Sequence, residues 1–435
     1  MIRYSQLSVG EKLKQVRVAK GLSQENVADA VGSSTSSISR IEQDQTECTD
    51  EMLDDIKAFL GIAGAPLFEH ELRAYEDQLW VLNDLANSNR TTDARARQQN
   101  MFPIETLPYE QDLCLLHSMI DARLLFQEEN IAAGVDRLDM AEAHLEEACV
   151  EVKHLYHRNR GFVVNTKGGT RASLNEFLRA FDLQSDKLKA DASFMYNIGS
   201  QYMLLGQIFH AIRYLELAER SLKGDRTNSR LMNAINSGLL YSYIQTREYS
   251  RALKKADEVI ISAKSAFDEA AAIVALGNIG TIKYHMGNTE EAITYYDKYL
   301  KWHTDRIDAG IGITHHVMML TSKAIALSTL KKHSQAKEAF KQALALVEGD
   351  EHGTIVVEAS RHSVAVSVKE SSDYLENTAI PYLRALGTEY NFLVLDLCDK
   401  LETNYKKRGL NKKAAAVIEI SRDIYNEIMF GKEDA

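Results

Sequence analysis

His315 and His316 stand side by side in HHVMM (315–319), where metal or acid–base chemistry would first be sought. Neighbours on a helix point to different faces, so the pair cannot easily share a metal. No H-E-x-x-H occurs, and TKGGT (166–170) lacks the spacing of a phosphate-binding loop. Asp and Glu are spread along the whole chain, and no pair stands out as an acid–base couple. The reading is that these histidines pack at a surface or interface, with no catalytic residue, metal or cofactor. Residues suited to recognition are better represented. Asn197 and Asn278 open matching N-I-G triplets, and an asparagine side chain donates and accepts at once, as the backbone of an extended peptide does. A run of hydroxyl residues, Ser33-Ser34-Thr35-Ser36-Ser37, leads to Arg40. Such a run reads either as a loop or as the opening of a polar helix.

Helices must position these groups. The 435 residues hold only four prolines and are rich in Ala, Leu, Lys and Glu, which suits an all-α chain of two or three domains. No apolar stretch reaches the length of a membrane span. Four cysteines (Cys48, Cys114, Cys149, Cys398) lie far apart, without a C-x-x-C, so neither a disulfide framework nor a zinc knuckle is expected. A cytoplasmic protein is the simplest reading. The formal charge of −11 excludes a generic nucleic-acid coat but not a small DNA-reading domain on an acidic body.

Within residues 1–61 the pattern predicts four short helices. VGEKLKQVRVAK (9–20) places Leu13, Val16 and Val18 among Lys12, Lys14, Arg17 and Lys20, an amphipathic helix with a basic side that Gly21 ends. Ser23 caps QENVADAV, with Asn26 at the capping-box position, and Gly32 breaks it. Ser34 then caps a helix with Ile38 and Ile41 buried. Thr49 or Asp50 caps a fourth helix, with Met52, Leu53, Ile56, Phe59 and Leu60 facing inward.

LKQVRVAKGLSQENVADAVGSSTSSISRIEQ resembles the phage-repressor-like (Xre/Cro) helix-turn-helix over about residues 7–61. The resemblance implies that the serine run starts the recognition helix. It implies that Thr35, Ser36 and Arg40, with Ser37 and Ser39 nearby, face the major groove, and that Gln24 contacts phosphate. The sequence departs in having Gln43-Asp44-Gln45 where the family often has Asn-Gly. Seven basic residues face ten acidic ones in 1–61, so phosphate neutralisation is modest and a dimer reading two half-sites is expected. The other reading is a bundle that docks proteins rather than DNA.

Within the connector 65–108, residues 65–87 read as a helix with a Leu72, Tyr75, Leu79, Leu82, Leu85 stripe. A polar linker follows, in which Arg90, Arg95 and Arg97 either touch phosphates or are solvated. Beyond 109 the chain repeats. NIGSQYMLLGQIFHAI and NIGTIKYHMGNTEEAI align, and Ala211, Ala252, Ala292, Ala336, Ala379 and Ala414 recur at intervals of 35 to 44 residues. Leu215, Tyr296 and Phe340 are the large residues expected to fill the space between helix pairs. This resembles the tetratricopeptide repeat, and six or seven repeats are expected over 109–430. Segment 158–190 fits the period poorly and reads as a long loop and a helix. The concave stripe implied by the resemblance takes in Asn197, Ser200, Gln201 and Met203, then Ser237 and Tyr241, Asn278 and Thr281, and Thr321 and Ile325. The asparagines read equally as caps inside the stack.

Together these motifs resemble the RRNPP-type quorum-sensing receptors and their arbitrium-like relatives. The fold implied is all-α, with a helix-turn-helix (1–64), a helix and connector (65–108) and a right-handed superhelical tetratricopeptide array (109–435). The function implied is a homodimeric transcription regulator that binds double-stranded operator DNA and is controlled by a short signalling peptide in the repeat groove, away from any membrane. The alternatives are a protein-interaction module or response-regulator-binding protein, and a phosphatase activity known in some relatives, for which no residue is assigned.

Overall fold

The computed structural model describes residues 2–183, 188, 191–222, 228–265, 268–304, 312–387 and 390–430, and among these there are helices and no strand. The chain divides into two compact units, residues 1–191 and 192–435.

The first unit begins with the four short helices, α1 (Val9–Ala19), α2 (Gln24–Ala30), α3 (Thr35–Glu42) and α4 (Asp50–Phe59). Their ends are set locally. Ser8, Ser23, Ser34 and Thr49 each accept a hydrogen bond from a first-turn amide, and Asn26 returns a bond to the Ser23 amide across 2.9 Å. Gly21 and Gly32 take left-handed φ of 67° and 65° after α1 and α2, which is what stops those helices. The serine run is therefore a cap and first turn, not a linker.

Two expectations for these helices change. Lys12 and Arg17 do not form a basic face. Both are buried, Lys12 against Glu110 at 3.1 Å and the Leu67 carbonyl at 2.8 Å, Arg17 against Glu42 at 2.6 Å. A buried cation needs such partners to offset its lost hydration. Val18 and Phe59, read as inward-facing, are 59% and 40% exposed.

Helices α5 (Glu69–Asn87), α6 (Thr91–Gln98), α7 (Gln111–Gln127), α8 (Ile131–Glu142), α9 (Val150–Thr166) and α10 (Thr170–Asp182) complete the unit. They share one apolar core with α1–α4, from Ile2 through Leu79 and Leu116 to Val163. The connector is thus built in rather than loose: Ala94, Ile104 and Leu107 are fully buried. Arg95 is spent on Asp121 and Glu128, at 2.5 and 2.7 Å, and Arg90 pairs with Asp93. Residues 2–5 tie the start of the chain to α5 and the start of α7. Arg3 pairs with Asp112 and donates to the Glu147 carbonyl, Tyr4 donates to Glu76, and the Ser5 amide donates to Glu110. Segment 158–190, expected to be a long loop and a helix, continues α9 and contains α10. The two lie against each other because Gly161 leaves room for the Phe177 ring. Residues 184–187, 189 and 190 of that segment lie outside the described residues.

The second unit is a stack of helix pairs: α11 (Ala192–Leu204) with α12 (Ile208–Ser221), α13 (Ser229–Gln245) with α14 (Tyr249–Ser265), α15 (Glu269–His285) with α16 (Thr289–Thr304), and α17 (Ile313–Thr329) with α18 (His333–Leu346). Next come α19 (Glu351–Ser363), α20 (Lys369–Tyr374) and α21 (Ile380–Leu386), then the pair α22 (Asn391–Lys407) and α23 (Asn411–Phe430). A π-helical turn, Leu375–Ala379, joins α20 to α21 just ahead of Pro381, whose missing N–H disrupts the regular ladder. The six recurring alanines are all at most 3% exposed, as are Leu215, Tyr296 and Phe340. A Cβ on Gly199 would come within 2.9 Å of Leu215, and one on Gly280 within 2.8 Å of Tyr296. The N-I-G glycine is therefore a packing device. Gly280→Ala is expected to cost about 1–3 kcal/mol, because the buried Tyr296 ring has nowhere to go. Urea unfolding of the second unit measures it.

Candidate functional site

In α3, Ile38 and Ile41 point into the core, 2% and 5% exposed, and so fix which side chains look outward. Thr35, Ser36 and Arg40 are exposed, while Ser37 and Ser39 are half-buried. Ser36 Oγ lies 3.0 Å from the capping Ser34 Oγ, and Ser39 Oγ accepts from Gln43 at 3.2 Å. Among the described residues the Arg40 guanidinium has no hydrogen-bond or ion-pair partner. It is the one fork-shaped donor on this helix that remains free to read a base edge.

The orientation of α3 is held from beneath by a pair that the sequence reading missed. Arg17 donates to both Glu42 oxygens, at 2.6 and 2.8 Å, and to the Leu22 carbonyl at 2.7 Å. Burial alone would raise the Glu42 carboxyl, but hydrogen bonds from Arg17 and Gln24 outweigh it and hold the group below its ordinary value. The Gln24 side chain commits one of its two Nε2 hydrogens to Glu42 at 2.8 Å, which leaves it less free for a phosphate. What Gln24 can offer instead is its main-chain amide, in the first turn of α2, where helix amides lack intrahelical acceptors. With Lys12, Arg17 and Lys57 buried and Arg3 paired, the free exposed cations of residues 1–61 are Lys14, Lys20 and Arg40.

Among the described residues, two cavities of the repeat unit are lined by residues expected to face the groove. The first, about 420 Å³, is lined by Ser237, Leu240, Val274, Asn278 and His315 among others, so the structure brings Ser237 and Asn278 together. The second, about 730 Å³, takes in Thr281, Tyr284, Ser322 and Ile325 from α15 and α17. The remaining expected residues line neither cavity. Asn197 is half-buried, and Met203 packs into the core beside Gly238. Gln201 is buried and Thr321 is 7% exposed, whereas Tyr241 is 40% exposed. The buried Ser200 Oγ and Gln201 Oε1 have no hydrogen-bond partner among the described residues. The second cavity also holds residues that sequence reasoning did not single out: Arg247 from the α13–α14 turn, and Phe392, Asp396 and Lys400 from α22. No local pattern joins positions 150 residues apart. His315 and His316 pack on the Tyr299 ring, with centroids 5.4 and 6.3 Å away. Among the described residues no cluster of three or more His, Cys, Asp or Glu could hold a metal, and no helix is long and apolar enough to cross a membrane.

Residues 13–66 match the helix-turn-helix family and residues 273–303 match the tetratricopeptide repeat. The class is thus an all-α protein that joins a helix-turn-helix to a repeat array. Among solved structures, the apo form of the quorum sensor NprR from B. thuringiensis aligns with a TM-score of 0.61 at 16% identity, over 81% of this chain and 99% of that one. A Rap protein complexed with competence and sporulation factor aligns at 0.59 and 14%, over 83% and 100%. NprR in complex with its cognate peptide NprX aligns at 0.54 and 17%, over 82% and 99%. No curated protein matches by sequence. The chain has the architecture of the RRNPP-type receptors, and at these identities the likeness fixes the fold.

Proposed function

We propose that this protein is a DNA-binding regulator of transcription whose repeat groove takes a short signalling peptide. It acts as a homodimer in the cytoplasm on operator DNA. In this reading residues 1–64 read DNA, 65–108 brace them, and 109–435 hold the peptide-binding array. The observation that carries it is the recognition helix itself: Thr35, Ser36 and Arg40 exposed on α3, with the helix locked beneath by the buried Arg17–Glu42 pair. Asn278 and Ser237 face a cavity of peptide-side-chain size on the same chain. Two repeat-bearing neighbours of known structure were solved with peptides or factors bound, which supports the same use of the groove here. The peptide acts by preferring one arrangement of the array, and it shifts the population of DNA-competent dimers only by that preference.

Residues 1–61 offer three free exposed cations per subunit for phosphate contact. For a dimer, the slope of log affinity against log salt is therefore expected to be no steeper than about −5. Fluorescence anisotropy on DNA from upstream of the gene, titrated with salt, tests this. Absence of binding at low salt would favour the docking-bundle reading, to which the excess of acidic residues in 1–61 lends support.

A further inference from the structure

The larger repeat cavity has one feature that packing does not account for. The turns after α11, α15 and α22 place Gly206, Gly287 and Gly409 at φ of 69°, 86° and 72°. The turns after α13 and α17 have the same hydrogen-bond pattern, yet Arg247 and Lys331 occupy that position at φ 62° and 58°. A left-handed backbone is strained for a residue with a Cβ, and glycine avoids that strain. The Arg247 side chain lines the cavity, and among the described residues it has no hydrogen-bond or ion-pair partner. Its neighbour Glu248 is taken by Arg251 at 2.8 Å.

The other charged groups of the cavity nearly cancel. Lys400 pairs with Asp396 at 2.6 Å and reaches Ser363 Oγ at 3.1 Å. Burial lowers the pKa of His285, which stacks on Tyr249 and is uncharged at neutral pH. Thr281, Ser322 and Gln245, the polar side chains that α13, α15 and α17 turn to the cavity, are neutral. One positive charge is left over, on Arg247, beside a wall of Tyr284, Met318, Phe392 and Leu393.

We propose that this cavity receives a large apolar side chain of the peptide together with an adjacent carboxylate, which the Arg247 guanidinium binds as a fork. The proposal rests on the peptide-receptor reading and names the chemistry of its ligand. An Arg–carboxylate pair supplies two parallel charge-assisted hydrogen bonds, so direction as well as charge is read. The carboxylate is either the peptide's C-terminus or an acidic side chain next to its apolar residue.

The test uses the full chain and three fluorescein-labelled pools of random heptapeptides. One pool lacks Asp and Glu and ends in a free carboxylate. A second is identical but ends in a carboxamide. A third is the carboxamide pool with Glu fixed next to a C-terminal Phe. Arg247→Gly installs the residue that the turns after α11, α15 and α22 use, so its thermal midpoint is expected to be unchanged or raised. Lys331→Gly, at φ 58° in the turn after α17 and outside the cavity lining, is the control. The wild type and Lys331→Gly are expected to bind the first or third pool about tenfold better than the second, the scale of one charge-assisted hydrogen bond. Arg247→Gly is expected to lose that preference. Whichever of the first and third pools is preferred identifies the source of the carboxylate. Equal binding of all pools by the wild type, or an intact preference in Arg247→Gly, overturns the proposal. Binding of no pool by any of the proteins overturns the peptide reading with it.

Discussion

Glu42→Ala is expected to destabilise the first unit by about 3–5 kcal/mol, the usual cost of stranding one member of a buried ion pair. Its removal leaves the Arg17 guanidinium, with only 10% of the side chain exposed, facing the Leu22 carbonyl alone, and leaves the Gln24 amide without its acceptor. The two tryptophans separate the response, since Trp80 lies in α5 and Trp302 in α16. Urea unfolding followed by Trp80 in a Trp302→Phe background is expected to shift strongly, and the signal of Trp302 in a Trp80→Phe background to shift little. The pH dependence has a defined sign. The Glu42 carboxyl is held below its ordinary value of 4.5, so its contribution is complete above that value and is lost as the pH falls through the folded pKa. Glu42→Gln should remove this acid-side loss while keeping the side-chain shape. A cost below about 1 kcal/mol for Glu42→Ala would mean that the pair does not hold α3 in place.

Arg40→Ala is expected to behave in the opposite way, with the fold intact and recognition lost. Arg40 is exposed and unpaired among the described residues, so its truncation should change stability by no more than about 0.5 kcal/mol. On operator DNA the loss of a bidentate guanine contact is expected to cost about 1–3 kcal/mol at each half-site. Binding to unrelated DNA should fall much less, because only one of the three free cations is removed. Thr35→Ala and Ser36→Ala should have smaller effects, since hydroxyls bond to bases and phosphates alike. Anisotropy on operator and scrambled duplexes separates the cases. Equal weakening on both would make Arg40 a phosphate contact.

What the sequence revealed about this protein follows from the range of each interaction. The caps Ser23, Ser34 and Thr49 and the turn glycines Gly21 and Gly32 act within a few residues, so the starts and stops of these helices were legible. The repeats were legible because the same small residue recurs wherever two helices cross. The pair α9–α10 was misjudged because it lacks the N-I-G triplet. It nevertheless follows the same steric rule, with Gly161 sixteen residues before Phe177 just as Gly280 is before Tyr296 and Gly199 before Leu215. That spacing was in the sequence to be found. Lys12 and Arg17 were misread as surface cations because their partners, Glu110 and Glu42, lie 98 and 25 residues further on. Of the groove, Ser237, Asn278 and Thr281 could be reached by aligning repeats. Arg247 could not, since an arginine at a turn looks solvated until Phe392 and Lys400 are brought to the same cavity.

The central claim is that peptide in the repeat groove controls DNA binding by residues 1–64. The most direct measurement is operator affinity of the full chain with and without synthetic peptides encoded by any short open reading frame beside its gene, alongside an Asn278→Ala variant. The account predicts that one such peptide changes the operator affinity by tenfold or more, that is, by about 1.4 kcal/mol of coupling, within the range typical of allosteric proteins. It also predicts that Asn278→Ala needs more peptide for the same change while binding DNA normally without it. Operator binding that no peptide alters would contradict it.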